Sequence, residues 1–305
     1  LAKELSSYLP AFQMGYSFNC WNSFSVIKLV TDSTCDLPPA WLSQHQVSLV
    51  PVHIHFGLDT FQEGRTITPE AFYQRIQANG LLPTTSQPSV GQFSQLYQQL
   101  AADGSEILSI HLTSKLSGTW QSASLAARQL SDQLTVRVVD SLNGSVGLGL
   151  LVREACHLIQ AGLPLAEVAA RLETRRDQAH IFIMLKDLRY ARMSGRVGRI
   201  RETLASLLNV KPIIGVQAGA LVPLERTRSQ RKAFERMVML ALERVGEIPI
   251  QLGVAHALAY GDAEQLLELA KSRLNCQDSF ITDLSLSLAV HFGPGTVGFA
   301  AYPGQ

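Results

Sequence analysis

The sequence predicts an α/β protein of two domains: a parallel three-layer α/β/α domain, then a second α/β domain with a mixed sheet. Three observations carry this. The chain has 305 residues, more than one typical core organises. From Ile27 to Asp140, short β-branched runs alternate with amphipathic helical stretches, the pattern of strands joined by crossover helices. In the second half, Gln217-Ala218-Gly219-Ala220 sits between apolar runs and reads as a hairpin turn, which makes that sheet partly antiparallel.

Taken in order, S-V-I-K-L-V-T over 25–31 is a strand that runs into a polar loop containing Asp32 and Asp36. A second strand is expected over 46–56 and a turn over 57–66. Thr68-Pro69-Glu70 opens a helix: Thr68 caps it, Pro69 fits the first turn and Glu70 suits the helix dipole. Pro83-Thr84-Thr85-Ser86-Gln87-Pro88-Ser89 then reads as a stiff loop before a helix over 90–100. The strand over 106–112 ends in a second hydroxyl-rich loop, T-S-K-L-S-G-T over 113–119, with a helix over 121–130 and a strand over 135–139 behind it. Helices follow over 144–160 and 165–174.

The second half repeats less cleanly. Strands are expected over 179–185, 210–216 and 221–224, with Pro212 marking the second as an edge. A helix follows to about 244, then a strand over 250–255 and a helix begun by Asp262. The 281–290 stretch reads equally as strand or helix, and a glycine-rich turn at 291–298 precedes a last strand. The domain division is placed at 27–165 and 166–305, with residues 1–26 an irregular N-terminal extension.

Composition narrows the function. A formal net charge of +1 gives no reason to expect whole-chain binding to polyanions. The four cysteines show no metal-ligand spacing, and incidental thiols in a reduced, cytoplasmic protein are the expectation. No apolar run of about 18 residues exists to span a membrane. The two hydroxyl-rich loops, one at a strand's carboxyl end and one before a helix, sit where parallel sheets place their sites. Hydroxyls and helical N–H groups directed at one spot suit an anion, though plain helix capping explains each loop taken alone.

A series of motifs between Ile27 and Tyr302 resembles the DegV family of bacterial fatty-acid-binding proteins. It comprises T-D-S-T at 31–34, G-R-T-I-T-P-E-A-F at 64–72, T-S-Q-P-S at 85–89, L-S-G-T at 116–119 and a segment at 188–196 ending S-G-R. K-P-I at 211–213, an arginine near 228 and H-F-G-P-G-T-V-G at 291–298 complete it. The resemblance implies a DegV-like (EDD-type) two-domain fold with an apolar tunnel for one long-chain fatty acid. It implies a carboxylate held at the domain interface by Thr85, Ser117, Arg228 and His291, with Arg226 the alternative arginine and Ser86 and Gly118 in support. Phe182, Met184, Ile213 and Leu284 are expected in the tunnel or equally in the core. The resemblance also implies a non-enzymatic carrier without cofactor that presents its fatty acid to a separate fatty acid kinase. The chemistry is consistent: a carboxylate has only acceptors, and two hydroxyls, a guanidinium and an imidazole supply donors.

Other readings stand beside it. The fold resembles half of a dihydroxyacetone kinase, and a phosphotransferase of that kind would use His256 or His291, but no Walker A motif is present. The arginine-rich span 171–201, with Arg226, Arg228, Arg231, Lys232 and Arg236, suggests nucleic acid only weakly, since no aromatic residues interleave it. His53 and His55 share a strand face but lack a third metal ligand with motif spacing. Gly144, Gly147 and Gly149 depart from G-x-G-x-x-G and read as close helix packing.

Overall fold

The computed structural model describes residues 26–80, 82–196 and 210–304. Its first sheet holds β1 (Ile27–Asp32), β2 (Ser48–Val50), β6 (Glu106–His111) and β7 (Val136–Asp140) in the order β2-β1-β6-β7, all parallel. Side chains alternate across it. Val30, Val50 and Ile107 pack under α3 (Val90–Leu100) and α4 (Thr119–Gln129), while Leu29, Leu108, Ile110 and Val139 face α5 (Ser145–Gln160) and α6 (Leu165–Arg175).

The second sheet runs β10-β9-β8-β13-β11-β12 and is mixed. Its strands are β8 (His180–Met184), β9 (Lys211–Gln217), β10 (Ala220–Thr227), β11 (Ile250–His256), β12 (Cys276–Asp283) and β13 (Val297–Pro303). Only β11 and β12 pair in parallel. One face packs on α8 (Gln230–Val245) and α9 (Tyr260–Lys271) through Phe182, Met184, Ile213, Phe234, Met237 and Phe299. Ile181, Ile183, Ala300 and Tyr302 on the other face join the core of α5. The sheets are therefore stacked with α5 between them, and Val146 to Val152 is buried on every side. Gly149 makes this closeness possible: a Cβ there would overlap the Cys35 carbonyl oxygen.

A small antiparallel sheet, β4-β3-β5, connects the two halves: β3 (His53–Phe56), β4 (Asp59–Gln62) and β5 (Thr84–Ser86). It lies beside α2 (Pro69–Asn79) in sequence and touches α10 (Leu286–Phe292). The helix α7 (Leu188–Ser194) also packs on α10.

Four expectations change here. The strand expected over 46–56 is two strands in different sheets, because Pro51 offers no N–H and the chain turns there. The expected turn over 57–66 contains β4, and the expected loop over 83–89 contains β5, which pairs with His53 to His55. Pro212 does not mark an edge: β9 lies between β8 and β10, and β8 first pairs at Ile213, beyond the missing N–H. Apart from these, α6 begins at the expected 165/166 division and packs on β6 and β7, and the first strand of the second sheet, β8, begins at His180. Residues 1–25 lie outside the described residues. Among those described, no helix is long and apolar enough to cross a membrane.

Candidate functional site

A pocket of about 180 Å³ opens where the two sheets meet the small one. Each wall has a local cause. β5 brings Thr85 and Ser86 to the pocket, the Ser86 hydroxyl bonding His55 Nε2, and the following helix takes its own cap from Ser89, in a reciprocal pair with Gln92. Thr85 is thus not needed as a cap. The loop after β6 supplies Leu112, Ser114, Lys115, Leu116, Ser117 and Gly118. This loop is fixed by Thr113, whose hydroxyl donates to the Gly219 carbonyl at 3.0 Å and pins the hairpin tip across the interface. The pinning also sets Leu221 into the pocket wall. A Cβ on Gly118 would meet the Gln87 side chain at 2.8 Å, so glycine there lets the two loops close.

The remaining wall is α10. Its first N–H groups have no cap from Ser285; two distant carboxyl groups accept them instead. Ser285 N–H donates to Asp36 Oδ1 at 3.0 Å, and Ser287 N–H donates to Glu63 Oε1 at 2.9 Å. Glu63 Oε2 also accepts the Ser33 and Ser287 hydroxyls, each at 2.6 Å. Burial pushes Asp36 up to about 8, against the donors Ser145 and Ser285, and raises Glu63 in the same direction. This anchoring aims the last turn of α10, with His291, at β5. Thr85 Oγ1 and His291 Nε2 lie 3.1 Å apart, 206 residues apart in sequence.

Burial pushes His291 down to about 4, with the nearby positive charge of Arg196 adding to it. Its Nδ1 is buried without a hydrogen-bond partner among the described residues. The Ser117 hydroxyl lies 2.9 Å from that of Thr119 at the start of α4, whose positive dipole end suits an anion. The pocket thus combines hydroxyls, an imidazole, Lys115 and Arg196 with an apolar back of Val52, Leu112, Leu116, Leu221, Leu288 and Phe292. Among its described lining residues there is no carboxylate.

Five of the six residues singled out in the sequence line this pocket: Thr85, Ser117, His291, Ser86 and Gly118. Arg228 does not. It is exposed beyond the end of β10, one residue before Ser229 caps α8, and the arginine in the pocket wall is Arg196. Arg196 closes the S-G-R motif, so its signal was present in the sequence, but the motif alone did not show where its end points. His291 lies in a helix's last turn, not in the glycine-rich turn that follows. Phe182, Met184 and Ile213 are core under α8, and Leu284 lines a second cavity.

Other candidate chemistry resolves into structure. Ser109, His111 and Asp32 are linked at 2.7 and 3.0 Å in the order of a catalytic triad, but all three are fully buried and Ser109 accepts the Tyr97 hydroxyl. Burial alone would raise Asp32; its bonds to His111, Thr34 and the Leu112 N–H outweigh this and hold it below its ordinary value. His55 bonds Thr60 and Ser86, and His53 contacts Gln92. Among the described residues, no group of three or more His, Cys, Asp or Glu side chains is placed to hold a metal. In the basic region, Arg171, Arg175, Arg189, Arg231 and Arg236 pair with Glu167, Glu154, Asp187, Glu235 and Glu225. Arg199 and Arg201 lie outside the described residues.

A family model described as "Uncharacterised protein, DegV family" matches residues 26–304. The chain belongs to the DegV family. It is 34% identical over 282 residues to a DegV domain-containing protein of Deinococcus radiodurans, covering 91% of this chain and 98% of the relative. It is 30% identical to Protein DegV of Bacillus subtilis over 274 residues, 89% of this chain and 97% of that one. Among solved structures, a fatty-acid-binding DegV family protein from Thermus thermophilus superimposes with a TM-score of 0.85 at 32% identity, over 91% of this chain and 99% of that one. DegV of Bacillus subtilis, described as a fatty acid binding protein, gives a TM-score of 0.81 at 29% identity, over 92% and 100%. The fold, a parallel-sheet domain followed by a mixed-sheet domain, is that of these DegV structures.

Proposed function

We propose that this protein binds a long-chain fatty acid, with the carboxylate in the pocket between Thr85, Ser117, His291 and Arg196. The observation that carries this reading is a donor-rich mouth, with no carboxylate among its described lining residues, that backs directly onto apolar side chains. A carboxylate accepts about four hydrogen bonds, and the hydroxyls, the imidazole and the guanidinium can donate them. Each buried methylene adds roughly 0.8 kcal/mol, so the tail supplies most of the affinity and the head its orientation. The pocket is smaller than the roughly 300–1,000 Å³ common for drug-sized ligands. It takes the head and first methylenes, and the tail continues past Leu221 and Phe292. Fatty acid binding by the Thermus and Bacillus relatives supports the same assignment.

The protein acts in this reading as a carrier, not an enzyme, and presents the carboxylate to a separate fatty acid kinase. Support comes from the exposure of Gln87, Lys115 and Arg196 at the mouth, which leaves the head group at the surface, and from exposed Arg228 as a contact for an acidic partner face. The free thiols Cys35, Cys156 and Cys276 suit a reducing compartment, consistent with the cytoplasm. Native mass spectrometry of the purified chain tests the binding step. A stoichiometric long-chain acid is expected; a chain that is empty and takes up no added palmitate would overturn the reading.

A further inference from the structure

A second cavity, about 410 Å³, lies on the other side of the Ser33–Glu63–Ser287 hydrogen bonds. Its walls are the start of α1 (Pro39–Gln44), the 63–73 stretch, and the segments that follow β11 and β12. Leu37, Leu49, Ile67, Leu284 and Leu286 make it mostly apolar. Its volume is within the roughly 300–1,000 Å³ range of small-molecule sites, and it stands where β11 and β12 end in parallel, the position that α/β sheets use for ligands.

Two polar atoms there lack partners among the described residues. His256 is only 6% exposed, lines the cavity, and has Nδ1 buried without a hydrogen bond; Asp283 Oδ1 is its neighbour at 3.5 Å and is itself largely exposed. Ser285 Oγ is also buried, unpartnered and on the cavity wall. A buried polar group without a partner is unfavourable, so a ligand that supplies one gains from it. Charge limits the ligand further. An anion would lose its hydration among the leucines and meet the Asp283 carboxylate, with only the exposed guanidinium of Arg65, among the described lining residues, to set against both, while burial holds Asp36 and Glu63 toward their uncharged forms. A cation would find the oxygens of Asp36 and Glu63 already bonded to Ser145, Ser285, Ser33 and Ser287. A hydroxyl group both donates and accepts, and burial holds His256 toward its neutral form, which also does both.

We propose that this cavity is a second ligand site, for a neutral hydroxyl-bearing apolar molecule of the medium-chain alcohol type. Its hydroxyl meets His256 Nδ1, and its chain lies on the leucine wall. The site is separate from the carboxylate pocket and does not depend on that assignment.

The test is a titration of the full chain with 1-octanol, and in parallel with octanoate, followed by methyl NMR at Ile67, Leu284 and Leu286. Saturable shifts are expected with octanol, and binding of octanoate at these methyls should be at least about tenfold weaker. His256→Phe should weaken octanol binding by about tenfold through loss of one buried hydrogen bond. Leu284→Trp, which fills the cavity, should abolish it, and Ser285→Ala serves if the larger side chain prevents folding. Absence of saturable shifts, equal binding of octanoate, or unchanged affinity in His256→Phe would overturn the proposal. Palmitate shifts at Leu116 and Leu288 report the first pocket in the same spectra, so failure of either site is seen separately.

Discussion

His291 is placed where a charge is unfavourable. Between its ordinary value near 6.5 and about 4, the unfolded chain binds a proton at this ring that the folded chain does not. Stability tied to His291 is therefore full above pH 6.5 and is lost as the pH falls through about 4. The loss amounts to roughly 3 kcal/mol. Urea unfolding at pH 7 and pH 4.5 should show His291→Gln losing less stability over that interval than the parent chain. Thr85→Ala, Ser117→Ala and Arg196→Ala should each weaken palmitate binding by roughly 1–3 kcal/mol, the range for a lost bond to a charged group. Arg228→Ala should leave affinity within about 0.5 kcal/mol, as for a surface substitution. Equal losses at Arg196 and Arg228, measured by calorimetric titration, would restore Arg228 to the site.

At the scale of elements, α10 is short and takes its N-terminal support from residues more than two hundred positions away. Glu63→Ala should leave the Ser33 and Ser287 donors unpaired and destabilise the fold by roughly 1–3 kcal/mol, with Glu63→Gln milder because an acceptor remains. Asp36 gives a pH signature. With its carboxyl raised to about 8, the folded state holds a proton that the unfolded state releases near 4. Stability from that proton falls as the pH rises through 8, so the deficit of Asp36→Asn should shrink between pH 6 and pH 9 in thermal unfolding. Local pattern made most strands and helices of this chain legible, because period-two and period-3.6 apolar spacing is written within each segment. It did not show that Pro51 sends one apolar run into two sheets, or that Thr84 to Ser86 becomes a strand by pairing with β3. Both are decided by partners distant in sequence. The candidate pocket was legible to the same degree: its lining residues Thr85, Ser117 and His291 were marked by their motifs, while the presence of Arg196 rather than Arg228 in its wall depended on how α7 packs on α10.

For the whole molecule, the decisive element is α5, which contributes to the cores of both large sheets. A helix buried on one face couples one sheet to solvent; this one couples two sheets to each other. The sheets should therefore unfold together although each has its own topology. Gly149 tests this, since its added Cβ would meet the backbone carbonyl of Cys35 and the side chain of Leu37, both of the first domain's opening loop. Gly149→Ala should force α5 away from that loop at a cost of roughly 1–3 kcal/mol, the range for overpacking a core. If α5 couples the sheets, hydrogen exchange should show β1 and β11 amides opening with one free energy, and the substitution should lower both by the same amount. A fall confined to β1 would mean that the second sheet is stable on its own, and that the pocket between them is held by the surface loops Thr113 to Gly118 and Gln217 to Ala220 rather than by the shared core.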